Sequence, residues 1–172
     1  SRYYPYGSNV VHVVGYVGDA SIKDVERMEA IKENLVPGLK VGKSGIEYSN
    51  EKALIGKYGI KRYEVNSSGK RISQLEHIKE SQGISIKTTV DLEVQKFAQE
   101  LLKGQAGSIC AMDIYTGEVI AMASSPAYDP NKFTHGIGHK DWGEIRDNPL
   151  KPLVNKSIAG LYSPGSTLKP LV

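Results

Sequence analysis

Tyr162-Ser163-Pro164-Gly165-Ser166-Thr167-Leu168-Lys169-Pro170 is the most informative segment of this chain of 172 residues. Pro164-Gly165 predicts a sharp turn, and Ser166 then lies at a predicted helix start, where free backbone N–H groups favour negative charge. Lys169 follows three residues later and so shares a helix face with Ser166. A serine hydroxyl is a weak nucleophile until a neighbouring base takes its proton, and a desolvated lysine can be that base. The segment therefore predicts Ser166 as a nucleophile and Lys169 as its general base.

The Ser-x-x-Lys spacing alone is a weak signal, because it also occurs at Ser49–Lys52 and Ser67–Lys70. The first of these lies in a polar run that is typical of a solvated helix face. The second lies in a Ser/Gly-rich stretch that predicts a turn. Only the copy at Ser166–Lys169 follows Pro-Gly and has apolar neighbours, so only this copy is predicted to be catalytic.

The residues upstream of this segment predict a helix and a β-hairpin. Thr88-Thr89-Val90-Asp91 predicts a capping box, apolar residues follow at helical spacing, and Gly104 ends the helix. Two largely apolar strands at 107–114 and 118–123 flank a turn, and such strands are expected to lie inside a larger sheet. Two further capping boxes are predicted earlier in the chain, at Ser21 with Asp24 and at Ser44 with Glu47.

This combination resembles the start of the transpeptidase domain of class B penicillin-binding proteins, of the type that acts in cell elongation. The residues that carry the resemblance are Thr89-Val90-Asp91, Gln95, Asp113, Thr116-Gly117-Glu118, Ala121-Met122-Ala123, Tyr128-Asp129-Pro130-Asn131, Phe133, Asn155-Lys156-Ser157-Ile158-Ala159-Gly160 and Pro164-Gly165-Ser166-Thr167-Leu168-Lys169-Pro170. Earlier residues look more loosely like the family's non-catalytic pedestal: Arg2-Tyr3-Tyr4-Pro5-Tyr6-Gly7, His12-Val13-Val14-Gly15-Tyr16-Val17-Gly18, Gly42-Lys43-Ser44-Gly45-Ile46-Glu47, Leu54-Ile55-Gly56 and Gly59.

The resemblance implies an α+β fold in two parts. Residues 1–83 are expected to be part of a pedestal domain of the dimerisation type. Residues 84–172 are expected to be the N-terminal part of a transpeptidase domain like that of serine β-lactamases, truncated after the Ser-x-x-Lys motif. That part holds the first helix, the hairpin and the start of the active-site helix. The boundary is predicted near the polar break Ser81-Gln82-Gly83.

The function that the resemblance implies is peptidoglycan D,D-transpeptidation through a serine acyl-enzyme during cell elongation. Ser166 is expected to be the nucleophile and to supply its backbone N–H to the oxyanion hole, and Lys169 is expected to be the general base. β-Lactams are expected to acylate the same serine. The family's downstream Ser-x-Asn and Lys-Thr-Gly elements do not occur in this sequence, so residues 1–172 are expected to be inactive alone.

The expected partners are peptidoglycan stem peptides, β-lactam antibiotics and membrane proteins of the elongation complex, the last through the pedestal. The family implies a single N-terminal membrane anchor, expected in the parent protein and not in this chain. No window approaches the ~20 apolar residues of a membrane span. The parent is therefore expected at the periplasmic face of the inner (cytoplasmic) membrane.

Composition and the remaining reactive residue types predict no other chemistry. The net charge of +3 and the lack of a long basic run argue against nucleic acid as a partner. No cofactor or metal is expected, because the four histidines show no metal-binding spacing. Cys110 lies within a predicted strand and is expected to be a small buried hydrophobe rather than a nucleophile.

Two alternative functions stay open from the sequence. A serine β-lactamase or β-lactam sensor shares Ser-x-x-Lys but has no need of a pedestal such as residues 1–83, and its deacylation rate would distinguish it. A non-enzymatic interaction module would use the pedestal to dock partners of the elongation complex.

Overall fold

The computed structural model describes residues 2–27, 38–56, 59–163, 165, 166 and 169. This part of the chain is a mixed α+β structure, which confirms the predicted fold class. The strands are β1 Val17–Asp19, β2 Lys40–Gly42, β3 Ile60–Val65, β4 Arg71–Ile78, β5 Gly107–Met112 and β6 Val119–Ser125. The helices are α1 Val11–Val14, α2 Ile22–Arg27, α3 Gly45–Ser49, α4 Glu51–Leu54, α5 Leu92–Leu101, α6 Asn131–Thr134, α7 His139–Arg146 and α8 Lys156–Ala159, and a 3₁₀ turn spans Gly7–Asn9. The described strands form the antiparallel pairs β1–β2, β3–β4 and β5–β6.

Helix α2 begins at the capping box predicted from Ser21 and Asp24, which is confirmed. The Ser21 N–H donates to Asp24 Oδ2 at 2.8 Å, and the Asp24 N–H donates to Ser21 Oγ at 3.3 Å. Lys43, which follows β2, donates from Nζ to the same carboxylate at 2.6 Å. The later helical positions predicted at Met28 and Ile31 lie outside the described residues.

The capping box predicted from Ser44 and Glu47 is wrong. Ser44 is the N-cap residue of α3, but its side chain makes no capping hydrogen bond. The Glu47 carboxylate instead accepts from Arg2, with Nε to Oε1 at 2.9 Å, and from the Tyr4 hydroxyl at 3.2 Å. Arg2 and Tyr4, which are distant in sequence, therefore bind the Glu47 carboxylate that the capping-box spacing assigned to the start of α3.

The β3–β4 hairpin contains the Ser67–Lys70 copy of Ser-x-x-Lys in its turn, as predicted. Asn66 Oδ1 accepts from the N–H groups of Ser68 and Lys70, at 3.0 and 2.9 Å. This Asx arrangement closes the turn.

Helix α5 is capped by one residue rather than by the predicted box. Asp91 Oδ1 accepts from the N–H groups of Glu93 and Val94, at 2.9 and 3.0 Å. Thr89 Oγ1 donates instead to the carbonyl of Val119 at 2.7 Å, so it links the residues just before α5 to β6. Gly104 follows the helix with φ +78°, which fits its predicted role as a terminator.

The predicted hairpin is present as β5 and β6, and α5 covers one of its faces. Ala98 and Leu102 of the helix segment pack on Ala123 and Ile109, which oppose each other across the two strands. Cys110 lies on the other face, opposite Met122, and is exposed. The prediction that Cys110 is buried is therefore wrong, because strand alternation cannot tell which face a neighbouring element covers.

An aromatic cluster joins the first and last parts of the described chain. Val11, Tyr128 and Phe133 are buried together, and the cluster is completed by Tyr16, Ala127, Ile137, Trp142 and Ile145. Tyr16 and Phe133 have ring centroids 4.3 Å apart. Among the described helices, none is long and apolar enough to cross a membrane.

Candidate active site

Ser166 and Lys169 lie in 3₁₀ conformation near the end of the described chain, and both are exposed. Gly165 has φ +54°, a left-handed conformation that glycine adopts most easily, as the predicted turn before the nucleophile requires. Pro164, Thr167, Leu168 and Pro170 lie outside the described residues. The hydrogen bonds found among the described residues do not join Ser166 to Lys169, so the pair stays a predicted catalytic pair.

Helix α8 precedes this segment and is attached to the end of β6. Ser124 is fully buried, and its hydroxyl accepts from the Lys156 N–H at 2.9 Å and lies 3.3 Å from the Val154 carbonyl, to which it donates. Ser157 Oγ donates to the Ala123 carbonyl at 3.0 Å. These bonds fix the start of α8 to the hairpin. They therefore set the position from which the chain continues toward Ser166.

The side chain of Asn155 caps α8 and also contacts α1. Asn155 Oδ1 accepts from the Ser157 N–H at 3.1 Å, and Asn155 Nδ2 donates to the His12 carbonyl at 3.0 Å. His12 Nε2 lies 2.8 Å from the Pro152 carbonyl, so Nε2 carries the proton. Burial lowers the pKa of the His12 imidazole, which keeps the ring neutral near pH 7.

A second connection joins the N-terminal segment to α6. The Tyr4 N–H donates to Asn131 Oδ1 at 3.0 Å, and Asn131 Nδ2 donates back to the Tyr4 carbonyl at 3.0 Å. Both residues belong to stretches that carried the family resemblance. The contact shows why a Tyr-Pro turn and an Asp-Pro-Asn turn, far apart in sequence, form one structural unit.

Two glutamates lie buried beneath the N-terminal segment. Glu47 is 5% exposed and pairs with Arg2, while Glu51 accepts from the Gly42 N–H. Burial raises the pKa of Glu51, and the neighbouring Glu47 charge raises it further against the Gly42 hydrogen bond. Both carboxylates have hydrogen-bond partners within the protein.

The described residues contain no group of three or more histidine, cysteine, aspartate or glutamate side chains that could hold a metal ion. His12 is engaged with a carbonyl, and His135 and His139 are exposed. Asp113 accepts from the N–H groups of Tyr115 and Thr116 at 2.8 Å each, which makes it a turn residue of the hairpin.

Reasoning from the sequence missed the residues that hold the site segment in place. These residues are Ser124, His12 and Asn155. Their side chains bind backbone groups that are far away in the sequence, and no local spacing predicts such contacts. One signal was available, since Ser124-Ser125 places two small hydroxyl residues at the end of an apolar strand.

The described residues thus combine a mixed α+β fold with an exposed Ser166 and an exposed Lys169 that follow the capped helix α8. Residues 1–88 match the family model described as the penicillin-binding protein dimerisation domain. Residues 107–172 match the model of the penicillin-binding protein transpeptidase domain. The chain therefore belongs to the penicillin-binding protein family, and within it to the elongation-type class B members that its sequence resembles.

Known relatives and solved structures support the same assignment. The chain is 42% identical over 173 residues to peptidoglycan D,D-transpeptidase MrdA of Escherichia coli strain K12, a match that covers 99% of this chain and 27% of that protein. It resembles penicillin-binding protein PBP2 in the complex with MreC from Helicobacter pylori, with a TM-score of 0.83, 35% identity, and coverage of 98% of this chain and 31% of that one. It also resembles Pseudomonas aeruginosa PBP2 in complex with WCK 5153, with a TM-score of 0.75, 34% identity, and coverage of 98% and 33%. The chain thus spans about a quarter of the length of the curated relative.

Proposed function

We propose that this chain is the part of a longer elongation-type peptidoglycan D,D-transpeptidase that carries the nucleophile Ser166 and the general base Lys169. The observation that carries the proposal is the Pro-Gly-Ser-x-x-Lys segment within the residues that match the transpeptidase model. Homology to peptidoglycan D,D-transpeptidase MrdA supports the reaction.

The proposed reaction has two steps. Ser166 Oγ attacks the carbonyl carbon of the penultimate D-Ala of a stem peptide, and its proton passes to Lys169. The tetrahedral intermediate collapses, the C–N bond breaks, and the terminal D-Ala leaves with that proton on its amine. The amine of a neighbouring stem peptide then attacks the acyl-enzyme and forms the cross-link. The ester C–O bond breaks, and one proton of the attacking amine passes through Lys169 to Ser166 Oγ.

The mechanism requires a hydrogen-bond donor that stabilises the oxyanion and a base that accepts the Ser166 proton. The Ser166 N–H is the proposed first donor to the oxyanion, and a donor of this kind contributes about 3 kcal/mol to transition-state binding in other acyl transferases. General-base assistance typically contributes ~10²- to 10⁴-fold. The exposure of both side chains is consistent with access by a peptide strand.

The proposed domain division, pedestal 1–83 and transpeptidase start 84–172, is supported by the family models, which match residues 1–88 and 107–172. We assign partner binding to the pedestal. The support is that a related PBP2 forms a complex with MreC in Helicobacter pylori. A partner from the elongation complex and a single N-terminal anchor would both place the protein at the periplasmic face of the inner membrane, where its substrate lies.

The test is covalent labelling of the full-length protein with a fluorescent penicillin. The wild type should be labelled, Ser166→Ala should not, and the exposed neighbour variant Ser163→Ala should label as the wild type does. Retained labelling in Ser166→Ala would refute the assignment of the nucleophile. Rapid release of the label would instead indicate a β-lactamase, since a transpeptidase deacylates slowly with β-lactams.

A further inference from the structure

One residue of α1 holds both ends of the turn that leads into α8. The imidazole of His12 donates from Nε2 to the Pro152 carbonyl at 2.8 Å, and the backbone carbonyl of His12 accepts from Asn155 Nδ2 at 3.0 Å. We refer to His12, Pro152 and Asn155 as the His12 clasp. The clasp joins residues separated by 140 and 143 positions in the sequence.

The clasp acts on the residue that starts α8. Asn155 uses its oxygen to cap the helix through the Ser157 N–H and uses its nitrogen to reach His12. Because one planar amide makes both bonds, the direction of the first turn of α8 is tied to the position of α1. Helix α8 ends at Ala159, and the chain then continues to Ser166.

The His12 end of the clasp is itself held in place. Its ring meets Tyr128 edge to face, with centroids 5.7 Å apart and planes at 87°. Tyr128 is buried with Val11 and Phe133, so the ring rests on the aromatic cluster. Close packing of this kind leaves the imidazole few alternative orientations.

Other hydrogen bonds fix α8 to its own sheet. The hydroxyls of Ser124 and Ser157 bind α8 to the end of β6, and the His12 ring also interacts with the Ser124 backbone. Loss of the clasp should therefore leave α8 attached at one side and free to tilt at the other. A tilt at α8 would shift the nucleophile, and displacements near 1 Å can cost ~10²-fold in rate.

We propose that His12 and Asn155 are positioning residues for acylation: the clasp transmits the position of the pedestal helix α1 to Ser166 and Lys169. This inference rests on the proposed function. It assigns to the pedestal a direct mechanical link with the reacting segment.

The test uses the full-length protein and single-turnover acylation by a fluorescent penicillin, which separates the acylation rate constant from the affinity of the noncovalent complex. His12→Phe keeps the edge-to-face ring contact and removes the donor. His12→Gln restores an N–H near the position of Nε2. Asn155→Asp keeps the helix cap and removes the donor to His12. Asn148→Asp is the matched control, because Asn148 Oδ1 accepts from the Leu150 N–H and an aspartate keeps that acceptor. His139→Phe is the control for an exposed histidine.

His12→Phe and Asn155→Asp should each slow the acylation step about tenfold or more, with affinity for the noncovalent complex unchanged. His12→Gln should recover most of the rate, and both controls should match the wild type. A rate within twofold of wild type in folded His12→Phe or in folded Asn155→Asp, whatever the change in melting temperature, would overturn the positioning role. If His12→Phe does not fold, Asn155→Asp decides the matter alone. A different result would show that the proposed function is wrong, because Ser166→Ala would then still be labelled.

Discussion

Gln95 pairs with the backbone of Met122 as a neighbouring strand would. The Met122 N–H donates to Gln95 Oε1 at 2.8 Å, and Gln95 Nε2 donates to the Met122 carbonyl at 3.1 Å. The same nitrogen donates to the Asn9 carbonyl at 2.9 Å, and the side chain is 1% exposed. One buried amide thus pairs with the Met122 backbone at the outer edge of β6 and attaches it to the N-terminal segment.

Gln95→Leu should lower the free energy of unfolding by about 2–3 kcal/mol. The leucine fills a similar volume, but the Met122 N–H and two carbonyls lose their partner in a buried site. Urea denaturation of the purified protein measures the change. Gln105→Leu, at an exposed position, should change stability by less than about 0.5 kcal/mol. Equal effects of the two variants would contradict the strand-like role of Gln95.

The ion pair of Arg2 with Glu47 should be coupled to the Tyr4 hydroxyl. Glu47→Gln should destabilise the protein by about 1–3 kcal/mol, less than for a fully buried pair, because the Arg2 side chain is 42% exposed. A double-mutant cycle of Glu47→Gln with Tyr4→Phe measures the coupling. Strictly additive effects would show that the two hydrogen bonds to Glu47 are independent.

Stability should fall in acid through Asp24. Partial burial favours a higher pKa, but the hydrogen bonds from Lys43 and Ser21 outweigh it and hold the pKa of Asp24 at about 2, below its ordinary 3.8. Because the folded-state pKa is the lower one, the stabilisation is complete above pH ~4 and is lost as the pH falls toward 2. We expect about 1 kcal/mol after allowance for solvent screening.

The difference in unfolding free energy between wild type and Asp24→Asn, followed from pH 6 to pH 2, measures this contribution. The difference should shrink as the pH falls. Asp19→Asn is the control, since Asp19 pairs with Lys40 while its side chain is 70% exposed. A difference that stays constant over this range would show that the Lys43 contact does not stabilise the carboxylate.

Gly15→Ala should be far more damaging than Gly69→Ala. Both glycines have left-handed φ values, +84° and +74°, so alanine is strained at either position by roughly 1 kcal/mol. At Gly15 a Cβ would also collide with the Ser44 carbonyl, whereas at Gly69 nothing lies within 4 Å. We expect a loss above about 3 kcal/mol for Gly15→Ala, measured by thermal unfolding. Similar losses of stability in the two variants would mean that α1 and α3 can move apart at little cost in free energy.

Local patterns predicted much of this structure and long-range contacts explain the rest. The hairpin, the α5 helix and the Ser21–Asp24 cap were predictable because their partners lie within a few residues. Ser44 with Glu47 has the same spacing as Ser21 with Asp24, yet Arg2 takes the carboxylate. No local rule could anticipate a competitor 45 residues away.

The candidate site likewise contains residues that local patterns predict and residues whose roles depend on long-range contacts. Ser166 and Lys169 are predicted from residue types, spacing and resemblance to a family. The groups that hold their segment, Ser124 and His12, bind backbone carbonyls and N–H groups, which carry no sequence signature. The exposure of Cys110 was likewise unpredictable, because strand alternation separates two faces without saying which one is covered.

The measurement that tests the central claim most directly is peptide mapping of the penicillin adduct by mass spectrometry. The full-length protein is labelled with excess penicillin, digested with trypsin and searched for the peptide that begins at Ser157, after Lys156. We predict one adduct per protein, carried by Ser166, and none in either Ser166→Ala or folded Lys169→Ala. An adduct on Ser163 or on any other residue, or undiminished acylation of Lys169→Ala, would contradict the account.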